Sequence, residues 1–214
     1  MKNFIYVGLL AILLGSCSPS TRITASWVDP EARNQNLSGQ TIFIASLTRN
    51  LEVRTKLEDA LADQASRRNM VAIKSSTQFR PDFYQNIPPE REIVDQIKRS
   101  GANMILTVSL IDTQSETRHV RGARTYSPYV NYRWYGGFYS YMNYWNPIFQ
   151  DPGYYVTDKT YFLESNLYSL DNNQLIWSAQ SETMNPGSID SFVASYPSII
   201  FEQLMKDGLM SRSN

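Results

Sequence analysis

One cysteine and one histidine are all the chain has in 214 residues, and its charge balances, with 20 Lys plus Arg against 20 Asp plus Glu. Each scarcity excludes a class of chemistry. A single thiol, Cys17, closes no intramolecular disulfide, and a single imidazole, His119, builds no His cluster for a metal. As a general base His119 needs a nucleophile and an orienting acid, and no G-x-S-x-G elbow or comparable signature accompanies it. It reads as a solvated residue at a strand end, beside Arg118 and Arg121. A phosphate-cradling loop is also missing, because Gly136-Gly137 precedes neither Lys-Ser nor Lys-Thr and opens no helix. Balanced charge gives no reason to expect a nucleic-acid partner. Neither a metal nor a cofactor is expected. Long apolar runs are absent as well: Phe4 to Leu14 falls short of the roughly 20 apolar residues that a membrane-spanning helix needs.

What is present begins at the amino terminus. Lys2 supplies a positive charge, Phe4 to Leu14 an apolar core, and small residues follow, which is the layout of a cleaved export signal. Leu14-Gly15-Ser16-Cys17 resembles the lipobox of bacterial lipoproteins, in which the cysteine thiol carries diacylglycerol and becomes the first residue after cleavage. The resemblance implies residues 1–16 as signal peptide and Cys17 as the lipidation site, with palmitate-type acyl chains holding the protein to the membrane. Each buried CH₂ contributes about 0.8 kcal/mol, and more than one chain gives stable attachment. Ser18 in place of an aspartate implies transport to the outer membrane and a position on its periplasmic face. Residues 17–25 are expected to be the lipidated cysteine and a short tether. After cleavage the chain stays near neutral, since the 20 basic residues lose Lys2 alone.

The rest reads as one α/β domain over 26–208, with a tail at 209–214. A weak strand signal at Arg22 to Trp27 overlaps the expected tether, and Thr41 to Leu47 (TIFIASL) is a stronger one. Asn50 is placed to cap a helix with Val53, Leu57, Ala60 and Leu61 on its inner face and Glu52, Lys56, Asp59, Asp63 and Arg67 outside. Met70 to Ser75 reads as a short strand. Pro88-Pro89 starts a second helix, with Ile93, Val94 and Ile97 inward and Gly101 as its stop. Asn103 to Gln114 is the longest apolar strand. This β-α-β-α-β order predicts a parallel first half of the sheet. Thr160 to Leu170 and Gln174 to Thr183 then form an antiparallel hairpin about Asn172-Asn173. A two-residue turn would set Tyr168 opposite Trp177 and Leu170 opposite Leu175. Ser188 opens a packing helix that Pro197 should kink or split and Gly208 should end. The fold class is therefore α/β, with a mixed sheet, a parallel first half, a C-terminal antiparallel hairpin and a packing helix.

Between the long strand and the hairpin lies an excursion at 118–158, far longer than the ~12–15 residues of ordinary connections. Roughly half of the chain's aromatic residues sit in it. No acid occurs between Glu116 and Asp151, whereas Arg118, Arg121, Arg124 and Arg133 do. A hairpin about Gly136-Gly137 would put Trp134 opposite Tyr139 and Tyr132 opposite Tyr141, with Arg133 on the other face. Tyr132, Trp134, Tyr139, Tyr141, Trp145 and Arg133 are thus the candidates for contact with a glycan, a partner's apolar patch or an anionic membrane surface. The same rings also suit self-burial over the sheet or a low-complexity loop. Glu164 and Glu182, on the two hairpin arms, are the carboxylate pair that glycoside chemistry would need, and exposed acids on a half-covered sheet account for them equally well.

Together the lipobox, Ala25-Ser26-Trp27-Val28-Asp29-Pro30, TIFIASL, Ser100-Gly101-Ala102-Asn103, and Glu164-Ser165-Asn166-Leu167-Tyr168 through Ile176-Trp177-Ser178 resemble a group of Gram-negative-type lipoproteins with no assigned activity. The element order is similar, at the level of fold, to α/β domains of periplasmic assembly factors such as the amino-terminal domain of the Tol-system translocation protein and lipoprotein activators of peptidoglycan synthases. The resemblance implies a non-catalytic, membrane-anchored binding or assembly module of the cell envelope. Its partners would be the membrane through the lipid and an envelope protein or peptidoglycan. The alternative is a periplasmic hydrolase using acidic residues.

Overall fold

β-Branched and aromatic residues at Thr41–Leu47 form the strand at the centre of the parallel half of the sheet. The computed structural model describes residues 21–33, 36–115, 137–139 and 159–210. In chain order they form β1 (Thr21–Val28), β2 (Thr41–Leu47), α1 (Leu51–Ser66), β3 (Val71–Lys74), α2 (Ser75–Gln78), α3 (Glu90–Arg99), β4 (Met104–Ser115), β5 (Lys159–Ser169), β6 (Leu175–Met184) and α4 (Ile189–Lys206). The six strands make one sheet in the order β1-β6-β5-β4-β2-β3. β2 is parallel to both β3 and β4, and the remaining pairs are antiparallel. The mixed α/β class read from the sequence is the class observed.

β3 and β4 flank β2 on opposite sides, so right-handed crossovers place their helices on opposite faces. Accordingly α1 packs Leu57, Leu61 and Ala65 with Ile42, Ile44, Leu106, Trp177 and the Ile200, Phe201 and Leu204 side of α4. α3 packs Ile93 and Ile97 on the other face with Phe43, Ala45, Ile105 and Tyr168. Asn50 caps α1 by accepting from the Val53 N–H at 3.1 Å. Gly101, at φ 88°, turns the chain out of α3 into β4, a conformation glycine adopts without a Cβ penalty.

Four expectations change. Residues 21–25, expected in the tether, belong to β1: Thr21 pairs with Thr183, their hydroxyls 2.7 Å apart, and Arg22 pairs with Glu182. The β5–β6 turn spans residues 170–174, closed by the Ser169 N–H on the Gln174 carbonyl at 2.9 Å, with Asn173 at φ 55°. That longer turn and a bulge put Tyr168 opposite Leu175 and Leu167 opposite Trp177. The indole and the phenol then lie on different faces, each buried in its own cluster. α4 is not split: Pro197 sits inside one helix because Tyr196, Ile200, Phe201 and Leu204 hold both halves of the same buried stripe. Leu209 and Met210, expected in the tail, are buried, and the Leu209 carbonyl accepts from the Leu37 N–H at 3.0 Å.

Candidate functional site

The strand directions give the sheet two unlike ends. At one end lie the start of β1, the ends of β2, β4 and β6, the start of β5 and the first turns of α1 and α4. At the other lie Val28, the starts of β2, β3 and β4, and the β5–β6 turn. The Val28 end carries a cleft of about 310 Å³, bordered by Asp29, Glu31, Gln40, Asn103, Asp171 and Gln174 among others. Local backbone chemistry holds these groups. Asp29 donates its N–H to the Ile176 carbonyl at 2.9 Å and accepts the Glu31 N–H on Oδ1 at 3.0 Å. Asn103 accepts the Thr41 N–H on Oδ1 at 3.1 Å and donates from Nδ2 to the Gln40 side chain. Asn172 donates to Gln174 Oε1 at 2.7 Å. Among the described residues, three carboxylates and several amides line the cleft and no Lys or Arg does. Such a lining offers acceptors to cationic or hydroxyl-rich groups. Among the described residues, no group of His, Cys, Asp and Glu is arranged to hold a metal.

A second polar constellation is structural. The Glu58 carboxylate is buried beneath α1, where Oε1 accepts from the Ser46 N–H at 2.9 Å and the Ser75 hydroxyl at 2.6 Å, and Oε2 from the Ser76 N–H at 2.7 Å. It serves the Ser46 N–H beyond the point where β3 stops pairing, at Lys74 opposite Ile44. Burial holds the Glu58 carboxyl above its usual range, against the lowering effect of those donors. One turn earlier, Arg54 is also buried, its guanidinium 5.4 Å from the centre of the Tyr84 ring. Tyr84 continues an aromatic chain through Phe83 and Phe79 to Phe43, with Phe79 and Phe83 stacked at 4.1 Å. Burial, then the Glu58 charge, raises the Tyr84 hydroxyl above the usual tyrosine range. Sequence reasoning missed this group. Its signal was a charged pair, Arg54 and Glu58, at helix positions continuous with Leu57, Leu61 and Ala65.

Glu164 and Glu182 fall on one face of the hairpin as diagonal neighbours, because Glu164 lies opposite Gln180 and Glu182 opposite Phe162. Glu164 is fully buried and accepts from Asn166 Nδ2 at 3.0 Å and Gln180 Nε2 at 3.2 Å. Glu182 holds Arg22 Nε at 2.5 Å.

Of the aromatic candidates, Tyr139 alone lies among the described residues. Tyr132, Arg133, Trp134, Tyr141 and Trp145 lie outside them, as do Cys17 and His119. Phe138 and Tyr139 are helical, not the extended arm of the expected hairpin. Phe138 is buried edge-on to Tyr168 at 6.1 Å, and Tyr139 is half-buried against the same cluster. Gly137 makes this possible: a Cβ there would come within 3.0 Å of the Asn173 side chain.

Neither a family model nor a curated protein sequence matches the chain. Among solved structures it is similar to a PelC dodecamer from Paraburkholderia phytofirmans that carries one leucine-to-methionine substitution, at 11% identity and a TM-score of 0.44 over 90% of this chain and 98% of that one. A second crystal form of the PelC dodecamer overlays at 10% identity and a TM-score of 0.45, covering 89% of this chain and 99% of that one. Lipoprotein GNA1162 from Neisseria meningitidis overlays at 11% identity and a TM-score of 0.39, covering 78% of this chain and 99% of that one.

Proposed function

We propose that this chain is a lipid-anchored, non-catalytic module of the cell envelope, held by Cys17 at the periplasmic face of the outer membrane and presenting its polar cleft to a protein or glycan partner. The observation that carries the reading is the opposition of the two ends. β1 starts at Thr21, four residues after Cys17, whereas the cleft of Asp29, Glu31 and Asp171 lies at the far end of the same sheet. An anchor at one end and an acceptor-rich cleft at the other is the layout of a tethered binding module. No helix among the described residues is long and apolar enough to cross a membrane. The engagement of Glu164 by two amides and of Glu182 by Arg22 favours binding over acid–base chemistry at that pair.

Crosslinking in intact cells tests the reading with three chains: native, Cys17→Ala, and Glu31→Lys with Asp171→Lys. The native chain fractionates with the outer membrane, incorporates labelled palmitate and yields a discrete crosslinked species. Cys17→Ala loses the label and the membrane fraction. The charge reversals, at exposed positions, keep the membrane fraction and lose the crosslink. Hydrolysis of an envelope substrate by the purified protein, abolished by Glu164→Gln, would instead establish the hydrolase.

A further inference from the structure

We infer that the Thr21 end of the sheet sits on the bilayer itself, with Leu51, Leu110, Met184 and Ile189 seated in the interfacial layer of the phospholipid. The inference rests on the reading of Cys17 as the lipid anchor. Five large apolar side chains are prominently exposed among the described residues: Leu51 at 46%, Val71 at 59%, Leu110 at 40%, Met184 at 54% and Ile189 at 37%. They are not scattered. Leu51 is the first residue of α1, Ile189 the first of α4, Met184 the last of β6, and Leu110 lies on β4 beyond its last pairing with β2 at Ser109. Four separate elements thus bring their exposed apolar residues to one end, and Val71, at the start of β3, is at the other.

Chain length selects the occupant. At most ~3.6 Å per residue separates Cys17 from Thr21, so the start of β1 lies within about 14 Å of the lipidated atom. The eight residues of β1, at ~3.3 Å each, carry the Val28 end roughly 25 Å further along the strand. The surface held closest to the headgroups is therefore the surface that exposes Leu51, Leu110, Met184 and Ile189. Charged neighbours there form pairs: Arg22 with Glu182, and Lys56 with both Glu52 and Asp190. Apolar side chains beside paired charge suit the boundary between headgroups and acyl chains.

The test uses the full lipidated chain, in which the alkylated Cys17 leaves no competing thiol. Leu51→Cys, Ile189→Cys and Val71→Cys proteins are each labelled with an environment-sensitive fluorophore and placed on phosphatidylethanolamine–phosphatidylglycerol vesicles, with and without brominated acyl chains. Labels at 51 and 189 should shift to the blue and lose about half their intensity or more to bromolipid, as residues ~5–10 Å into the headgroup boundary do. The label at 71 should do neither. Vesicle-bound protein with three water-like labels overturns the inference and leaves the anchor standing. A blue shift without bromolipid quenching also overturns it, since a second copy or another protein then covers this end. Protein that fails to sediment with the vesicles overturns the anchor reading and this inference together.

Discussion

At the scale of single residues, Glu58 shows how a charged side chain substitutes for missing secondary structure. Its carboxylate bonds the backbone N–H groups of Ser46 and Ser76, which no strand or helix serves. Replacing Glu58 with Ala leaves the buried Ser46 N–H and the part-buried Ser76 N–H without that acceptor, a loss of about 2–6 kcal/mol at ~1–3 kcal/mol each. Urea unfolding of the variant checks it. The pH dependence follows from burial. A carboxyl raised above its unfolded value of about 4.3 binds its proton more tightly in the fold. The stability it contributes is complete below the unfolded value and is lost as pH rises through the higher folded value. Native protein should therefore lose stability relative to Glu58→Gln as unfolding is measured upward from pH ~4 through the raised carboxyl range. A flat difference between the two would show that Glu58 is not desolvated. In the sequence Glu58 reads as one more acid on an amphipathic helix, and its alignment with Arg54, Leu57, Leu61 and Ala65 was the one sign of burial. What buries it is the early end of β3, a property of the sheet. Tyr196 is the contrasting case: its place on an apolar helical stripe was legible, and burial pushes its hydroxyl up to about 12 while it bonds Ser165 at 2.9 Å.

At the scale of elements, boundaries set by local chemistry were readable and registers set by turns were not. The Asn50 cap, Pro89 ahead of α3, and Gly101 after it act within a few residues of themselves, so sequence alone locates them. The β5–β6 register depends on the loop of 170–174, and a one-residue slip moves every side chain to the other face. Asn172-Asn173 marks the turn without fixing its length. The docking of 137–139 was equally hidden, because Phe138 finds Tyr168 only through tertiary packing. Gly137→Ala tests that docking. With φ at 147° and the Asn173 side chain 3.0 Å from an added Cβ, alanine should destabilise the fold by roughly 1–3 kcal/mol, readable in thermal melts. Gly39→Ala has φ 83° but nothing within 4 Å of its Cβ, so it should carry the backbone strain alone and the smaller loss.

Over the whole molecule, two apolar clusters share one sheet, with Trp177 at the centre of one and Tyr168 in the other, on adjacent paired strands. Neither cluster closes without the strands that build both, so the described domain should unfold as one unit. Trp177→Ala and Tyr168→Ala should each cost about 3–5 kcal/mol. Circular dichroism and fluorescence should follow a single coincident transition in both variants. Two separate transitions would divide the domain along the sheet. Fold class was legible at this scale because periodicity and element order are chain-wide properties. The cleft at the Val28 end was not, since it gathers Asp29, Asn103 and Asp171 from three distant parts of the chain.

The position of β1 beside β6 also sets an order of assembly. Thr21 meets Thr183 across 162 positions of sequence, so β1, the first described strand in chain order, is among the last to find its neighbour. Until the two meet, β1 is an unpaired strand and β6 keeps an open edge. Closing so large a loop is slow, and an unpaired edge is a template for the wrong chain. Docking β1 onto β6 therefore does two things at once: it gives the first strand its partner, and it moves the sheet's exposed edge from β6 to β1.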